Sequence, residues 1–175
     1  MSHAFLALAC AALLGTIAVQ NWLYAPLRNE TISAGLTGPY HWYLDASYVP
    51  LSAALLMVFH GWMEAFATVA GISLILVAVT NTFHTWVDSL TKGEHSLWHS
   101  RFTLVVFCSA LALQIAGDHG WMWALTVLNV LIPGACYFYF HFRKTTIRGT
   151  LIAASPAGEK IYVAFLCLWL IVWAL

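Results

Sequence analysis

The sequence predicts an all-α fold: a polytopic membrane helical bundle of six transmembrane helices with both termini outside (N-out/C-out). Three observations predict it. Of 175 residues, 62% are hydrophobic and only 8% charged, with a mean hydropathy of +0.81; a soluble domain carries about 25% charged residues, so a surface this poor in charge suits lipid rather than water as solvent. The apolar residues fall into six runs close to the ~20 residues a helix needs to cross the hydrocarbon core. Finally, when six spans alternate, Arg28, Lys92, Arg101, Arg143, Lys144, Arg148 and Lys160 all fall on one side, which makes that side cytoplasmic.

The first span is expected at about residues 4–23. No Lys or Arg precedes Arg28, whereas a secretory leader opens with basic residues, so this run reads as a retained span. Residues 24–40 hold Pro26, Arg28, Asn29, Glu30, Gly35, Gly38 and Pro39, the composition of a loop. The second span, about 41–60, contains Pro50, where a kink is expected. His60-Gly61-Trp62 is a tight reversal into the third span, about 62–83. The mixed stretch 84–94 reads as an interfacial segment. The fourth span, about 97–117, turns back at Asp118-His119-Gly120 into the fifth, about 121–142. Residues 143–158 are polar and basic, a second loop, and the sixth span covers about 159–175. The whole is one integral membrane domain, 1–175. Trp22, Trp42, Trp86 and Trp98 then lie at the inner interface and Trp62, Trp121, Trp123 and Trp173 at the outer one, the two belts expected of aromatic anchors.

Within the spans, Cys10, Cys108, Cys136 and Cys167 form no C-x-x-C pair and are expected to be small buried hydrophobes. Gly and Ala in spans one and three suggest close helix packing. Gln20, Asn21, Asn81, Gln114 and Asn129 are expected to hydrogen-bond between helices.

The alternation brings His41, His84, His95, His99 and His141, with Asp45, Asp88, Glu94 and Glu159, to the cytoplasmic ends of the spans. Three pairs are spaced by four: His41 with Asp45, His84 with Asp88, His95 with His99. Residues four apart share a helix face, about 5–6 Å between β-carbons, so His95 and His99 can chelate one ion. A third ligand from His41, His84, His141, Asp45 or Asp88 would leave one coordination position open. Zinc suits nitrogen and carboxylate ligands, and iron accepts the same set. Asp45, an acid just inside a span, needs a partner or a task; it and Asp88 are the candidate catalytic acids. Glu94 and Glu159 fit the simpler role of acids favouring a helix N-terminus.

Thr31-Ile32-Ser33, the step Gly38-Pro39-Tyr40-His41-Trp42, the run 49–56, His95-Ser96-Leu97-Trp98-His99 and Gly158-Glu159-Lys160 with Trp169 together resemble a bacterial six-helix family called domain of unknown function 998. The likeness covers about residues 28–175. It implies the six-helix fold and a bacterial inner-membrane home, and no activity. His41 and Asp45 depart from that pattern. The five residues His95–His99 are also similar to a string in alkaline ceramidases, zinc hydrolases of seven spans.

These residues lead to three expectations. The first is a metal-dependent, hydrolase-like membrane enzyme with zinc or iron, acting on a lipid or other hydrophobic small molecule that enters between helices. The second is a non-catalytic subunit or scaffold with partner membrane subunits. The third is a b-type haem carrier using two of the histidines. The net charge of zero gives a nucleic-acid partner no electrostatic support.

Overall fold

A computed structural model of the protein describes residues 2–19, 22, 32, 41–92, 95–142 and 156–175; at 41–46, 85, 95, 96, 137, 139–142 and 156 it describes the backbone alone. Seven α-helices make up the described chain: α1 (Ser2–Ala18), α2 (His41–Val58), α3 (Trp62–Thr82), α4 (His84–Thr91), α5 (His95–Gly117), α6 (Met122–Phe142) and α7 (Pro156–Ala174). Among the described residues, three stretches are long and apolar enough to cross a membrane: Trp62–Thr82, Leu97–Gly117 and Ala157–Ala174. Ser2–Ala18, Ser47–Val58 and Met122–Cys136 are shorter apolar helices.

The connections explain the helix limits. Gly61 adopts φ 67° before α3, and Gly120 adopts φ 55° before α6, a left-handed backbone that costs glycine little. The Glu64 N–H donates to Gly61 O at 3.2 Å and the Met122 N–H to His119 O at 3.1 Å, closing both reversals. The stretch after α3 folds as the short helix α4, with Lys92 in the left-handed conformation as its C-cap. Pro50 lies inside α2 and Pro133 inside α6.

Helix neighbours follow the order α5–α3–α2–α1–α7–α6 around the bundle. The broadest contact is α3 on α5, followed by α2 on α3, α1 on α2 and α6 on α7. By contrast α5 meets α6 and α7 at only a few positions among the described residues, so the arc is least tightly closed there. Neighbours run antiparallel. At one end, which we call the first, His3 Nδ1 lies 3.2 Å from Ala174 O, and the rings of Phe59 and Trp173 have centroids 4.3 Å apart. At the second end, Thr16 Oγ1 lies 2.8 Å from Ser47 Oγ, and Thr80 Oγ1 lies 3.2 Å from His99 Nδ1.

Interhelical packing uses the small residues the sequence supplies. A β-carbon at Gly71 would sit 3.1 Å from Leu56 Cγ and 3.2 Å from Ser52 O, and the Ser52 hydroxyl donates to Gly71 O at 2.6 Å. Gly15 of α1, in contrast, faces open space. The buried residues of α1, Leu6, Ala9, Cys10, Leu13 and Ile17, follow the three- and four-residue steps of one helix face. The cysteine expectation holds for two of four: Cys10 and Cys167 are fully buried and hydrogen-bonded to each other between α1 and α7, whereas Cys136 is half-buried and Cys108 is exposed on α5. An apolar run does not say which side of its helix meets protein, because lipid solvates an apolar side chain as well as a neighbouring helix does.

Candidate functional site

The antiparallel order brings the start of α2, α4, the start of α5 and the start of α7 to the second end. His84 is exposed and Asp88 half-buried; they sit four residues apart on α4. The side chains of His41, Asp45, His95 and His141 lie outside the described residues, as does Glu94. Among the described residues no three His, Cys, Asp or Glu side chains gather as a metal-binding group. His84 and His99 are the predicted histidine ligands whose side chains are described, and His99 is the one held by a neighbouring helix.

Its neighbour on α3 holds the ring. Thr80 Oγ1 lies 2.9 Å from both Leu76 O and Val77 O, to either of which it can donate its one proton, and 3.2 Å from His99 Nδ1, where the donor depends on the tautomer of the ring. A hydrogen bond at one ring nitrogen orients an imidazole, as such partners do for metal-ligating histidines.

One turn deeper on α5, the Thr103 hydroxyl donates to His99 O at 2.8 Å. Thr103 lines a cavity of about 50 Å³ in the middle of the bundle. A space of ~10–15 Å³ on this measure holds one water, so several fit, or part of an alkyl chain. The wall is built by five helices: Leu13 of α1, Leu51 and Leu55 of α2, Leu74 and Val77 of α3, Val106, Ala110 and Leu113 of α5, and Leu166 and Leu170 of α7. From Thr103 to Leu113 it runs along three turns of α5, about 15 Å at 1.5 Å per residue. The small volume over that length makes it a narrow slot.

Glu159 closes this slot at the second end. Its position in the first turn of α7 fits the dipole role the sequence suggested, yet it is 6% exposed and forms part of the cavity wall. The backbone N–H of Ile32 hydrogen-bonds its carboxyl group, while Oε2 has no hydrogen-bond partner. Tyr162, one turn on, also lines the slot; its hydroxyl donates to Phe107 O at 2.9 Å, with its ring edge-on to Phe107 at 4.3 Å. The signal that could have singled out Glu159 is the one that singled out Asp45, an acid opening an apolar span.

The first end holds a different polar cluster. Asp118 Oδ1 accepts hydrogen bonds from Trp169 Nε1 at 2.8 Å and from the Thr126 hydroxyl at 3.0 Å. It ties the α5–α6 turn to α7, with Trp169 completely buried. One to two turns in from that end, Asn129 Nδ2 donates to Gln114 Oε1 at 2.9 Å, both side chains fully buried; this is the interhelical role expected of them. Asn81 is buried on α3, and its Nδ2 lacks a hydrogen-bond partner. Gln20 and Asn21 lie outside the described residues.

No family model matches the chain, and neither a curated protein nor a solved structure matches it.

Proposed function

We propose that the chain is an integral membrane protein of six spans, N-out and C-out, in a bacterial inner membrane. On this reading it is a metal-dependent, hydrolase-like enzyme acting on a lipid or similar amphiphile. The observation that carries this reading is the narrow apolar slot ending at Thr103 and Glu159, one helical turn from an oriented imidazole at His99. A membrane lipid has one apolar part to bury and one polar part to react, and the slot offers a place for the first beside groups able to handle the second. The loose closure of α5 against α6 and α7 suits sideways entry from the bilayer.

In the catalytic form, His95 and His99 would hold zinc or iron with a third ligand from His84, His41, His141, Asp45 or Asp88. Such an ion would supply an activated water near neutral pH. The chain's own contributions are orientation and burial. Thr80 holds the His99 ring through Nδ1, the slot positions the tail, and Asp45 or Asp88 serves as proton acceptor.

Elemental analysis of the purified protein tests this. Zinc or iron is expected at about one per chain. Thr80→Val should weaken binding about 10–100-fold, the usual cost of removing a partner that orients a ligand. A metal-free protein, unaltered by the combined His95→Ala and His99→Ala changes, removes the catalytic reading.

A further inference from the structure

The dimensions of the slot define what fills it. Its wall runs from Thr103 to Leu113 on α5 and from Glu159 to Leu170 on α7, about 15 Å on either helix at ~1.5 Å per residue. The 50 Å³ is room for the centres of water-sized spheres. Spread over that length it has a cross-section of about 3 Å², which the ~1.4 Å radius of the sphere widens to a bore about 5 Å across. Touching carbon atoms lie about 3.5–4.0 Å apart, so one methylene chain fits, whereas two chains abreast do not. The far end is shut. Beyond Leu113 and Leu170, a β-carbon at Gly117 would lie 2.8 Å from Trp169 Cη2 and 3.1 Å from Met63 Sδ, so these residues leave no room for a methyl group. Trp169 is fully buried and its Nε1 is held by Asp118, which fixes this floor. Tyr48, Thr103, Glu159 and Tyr162, the polar members of the wall among the described residues, belong to the halves of their helices nearer the second end. Leu55, Ala110, Leu113 and Leu170 line the part toward the first.

We infer that the slot is a length gauge for one unbranched alkyl chain. The floor at Trp169 and Gly117 limits that chain to about twelve carbons, since single-bonded carbons at ~1.5 Å advance about 1.25 Å each along an extended chain. The terminal methyl rests toward Leu113 and Leu170, and the head of the amphiphile stays at the second end. A shorter chain leaves part of the slot empty and forfeits contacts there. A longer one cannot advance past the floor, so its surplus methylenes stay outside the slot. The inference rests on the proposed binding of a hydrophobic chain in the slot, and requires neither metal nor catalysis.

The test uses the full-length protein in lipid nanodiscs, with empty discs as background, and the even-numbered straight-chain alcohols from hexanol to tetradecanol. Referred to free aqueous alcohol, affinity should rise about fourfold per added carbon, the worth of one buried methylene. The rise should stop at about dodecanol, while uptake by empty discs continues to tetradecanol. Ala110→Phe puts a ring across the slot about 10 Å from Thr103 and should move the break down to about octanol. Leu113→Ala covers the case in which the larger side chain prevents folding; it deepens the slot at its floor and should let affinity go on rising through tetradecanol. Cyclododecanol has the carbon count of dodecanol in a ring too wide for the bore, and should bind on the order of tenfold or more weakly than dodecanol, as the loss of two buried methylenes already gives.

The outcomes separate. If no alcohol binds above the disc background, or neither variant alters binding, the slot is not a chain site and the functional reading fails with this one. If Ala110→Phe weakens dodecanol but affinity for the unaltered protein climbs through tetradecanol without a break, the gauge alone is wrong. Cyclododecanol binding as tightly as dodecanol, with Ala110→Phe still effective, overturns the single-chain bore.

Discussion

At the scale of single residues, contact decides what composition leaves open. A β-carbon at Gly117 would lie 2.8 Å and 3.0 Å from Cη2 and Cζ2 of Trp169, and 3.1 Å from Met63 Sδ. The Trp169 ring cannot swing away freely, because it is fully buried and its Nε1 is held by Asp118. Gly117→Ala should therefore destabilise the protein by about 1–3 kcal/mol, as overpacking of a tight core does. Gly15→Ala is the matched control, since nothing lies within 4 Å of its β-carbon and alanine is the better helix former. Thermal unfolding in detergent should show a lower midpoint for the first and an unchanged or higher one for the second; equal midpoints would mean that the Trp169 contact is not tight.

At the scale of elements, the bundle joins helices that apolar contact alone would leave free to slide. Lipid tails are as apolar as leucine, so helix association in a bilayer relies on close packing and on hydrogen bonds. Ser52 to Gly71 links α2 with α3, Asn129 to Gln114 links α6 with α5, and Asp118 links the α5–α6 turn with α7. Among the described residues α5 meets α7 at few positions, so Asp118 at one end and the Tyr162 hydroxyl on Phe107 O toward the other join a sparse seam. Asp118→Ala leaves the buried Trp169 N–H without its acceptor, at a cost of about 1–3 kcal/mol. Proteolysis or solvent exchange should reveal opening of the α6–α7 pair before the rest of the bundle. Uniform loosening of all helices, or none, would contradict the clamp.

At the scale of the whole molecule, the two ends differ chemically. His3, Gly61, Asp118 and His119 belong to elements that meet at the first end, and His84, Asp88, Lys92, His99 and Glu159 to elements that meet at the second. For the proposed six-span, N-out topology, cysteines introduced at Gly61 and His119 should react in intact cells with a reagent that does not cross membranes. A cysteine at Lys92 should react only after lysis, with Cys108, the exposed native thiol, replaced beforehand. Reaction at all three positions in intact cells would remove the topology, and with it the cytoplasmic placing of the histidines.

The helices themselves were legible in the residue order, because hydropathy and turn-formers act locally. The reversals at Gly61 and Gly120 and the separate segment after α3 were all readable from a few neighbouring residues. Which side of each helix faces inward was not. A helix facing lipid can be apolar on its outer side too, and in α1, α2 and α5 the apolar residues are not gathered on one face, so their periodicity carries little directional signal. That is why Cys108 was expected in the interior. For the same reason Glu159 read as a plain N-terminal acid, while its place in the wall of a channel depends on α1, α2, α3 and α5 surrounding it. Local chemistry determined where the chain is helical; only the tertiary arrangement decided what those helices enclose, since a cavity is a property of several surfaces together.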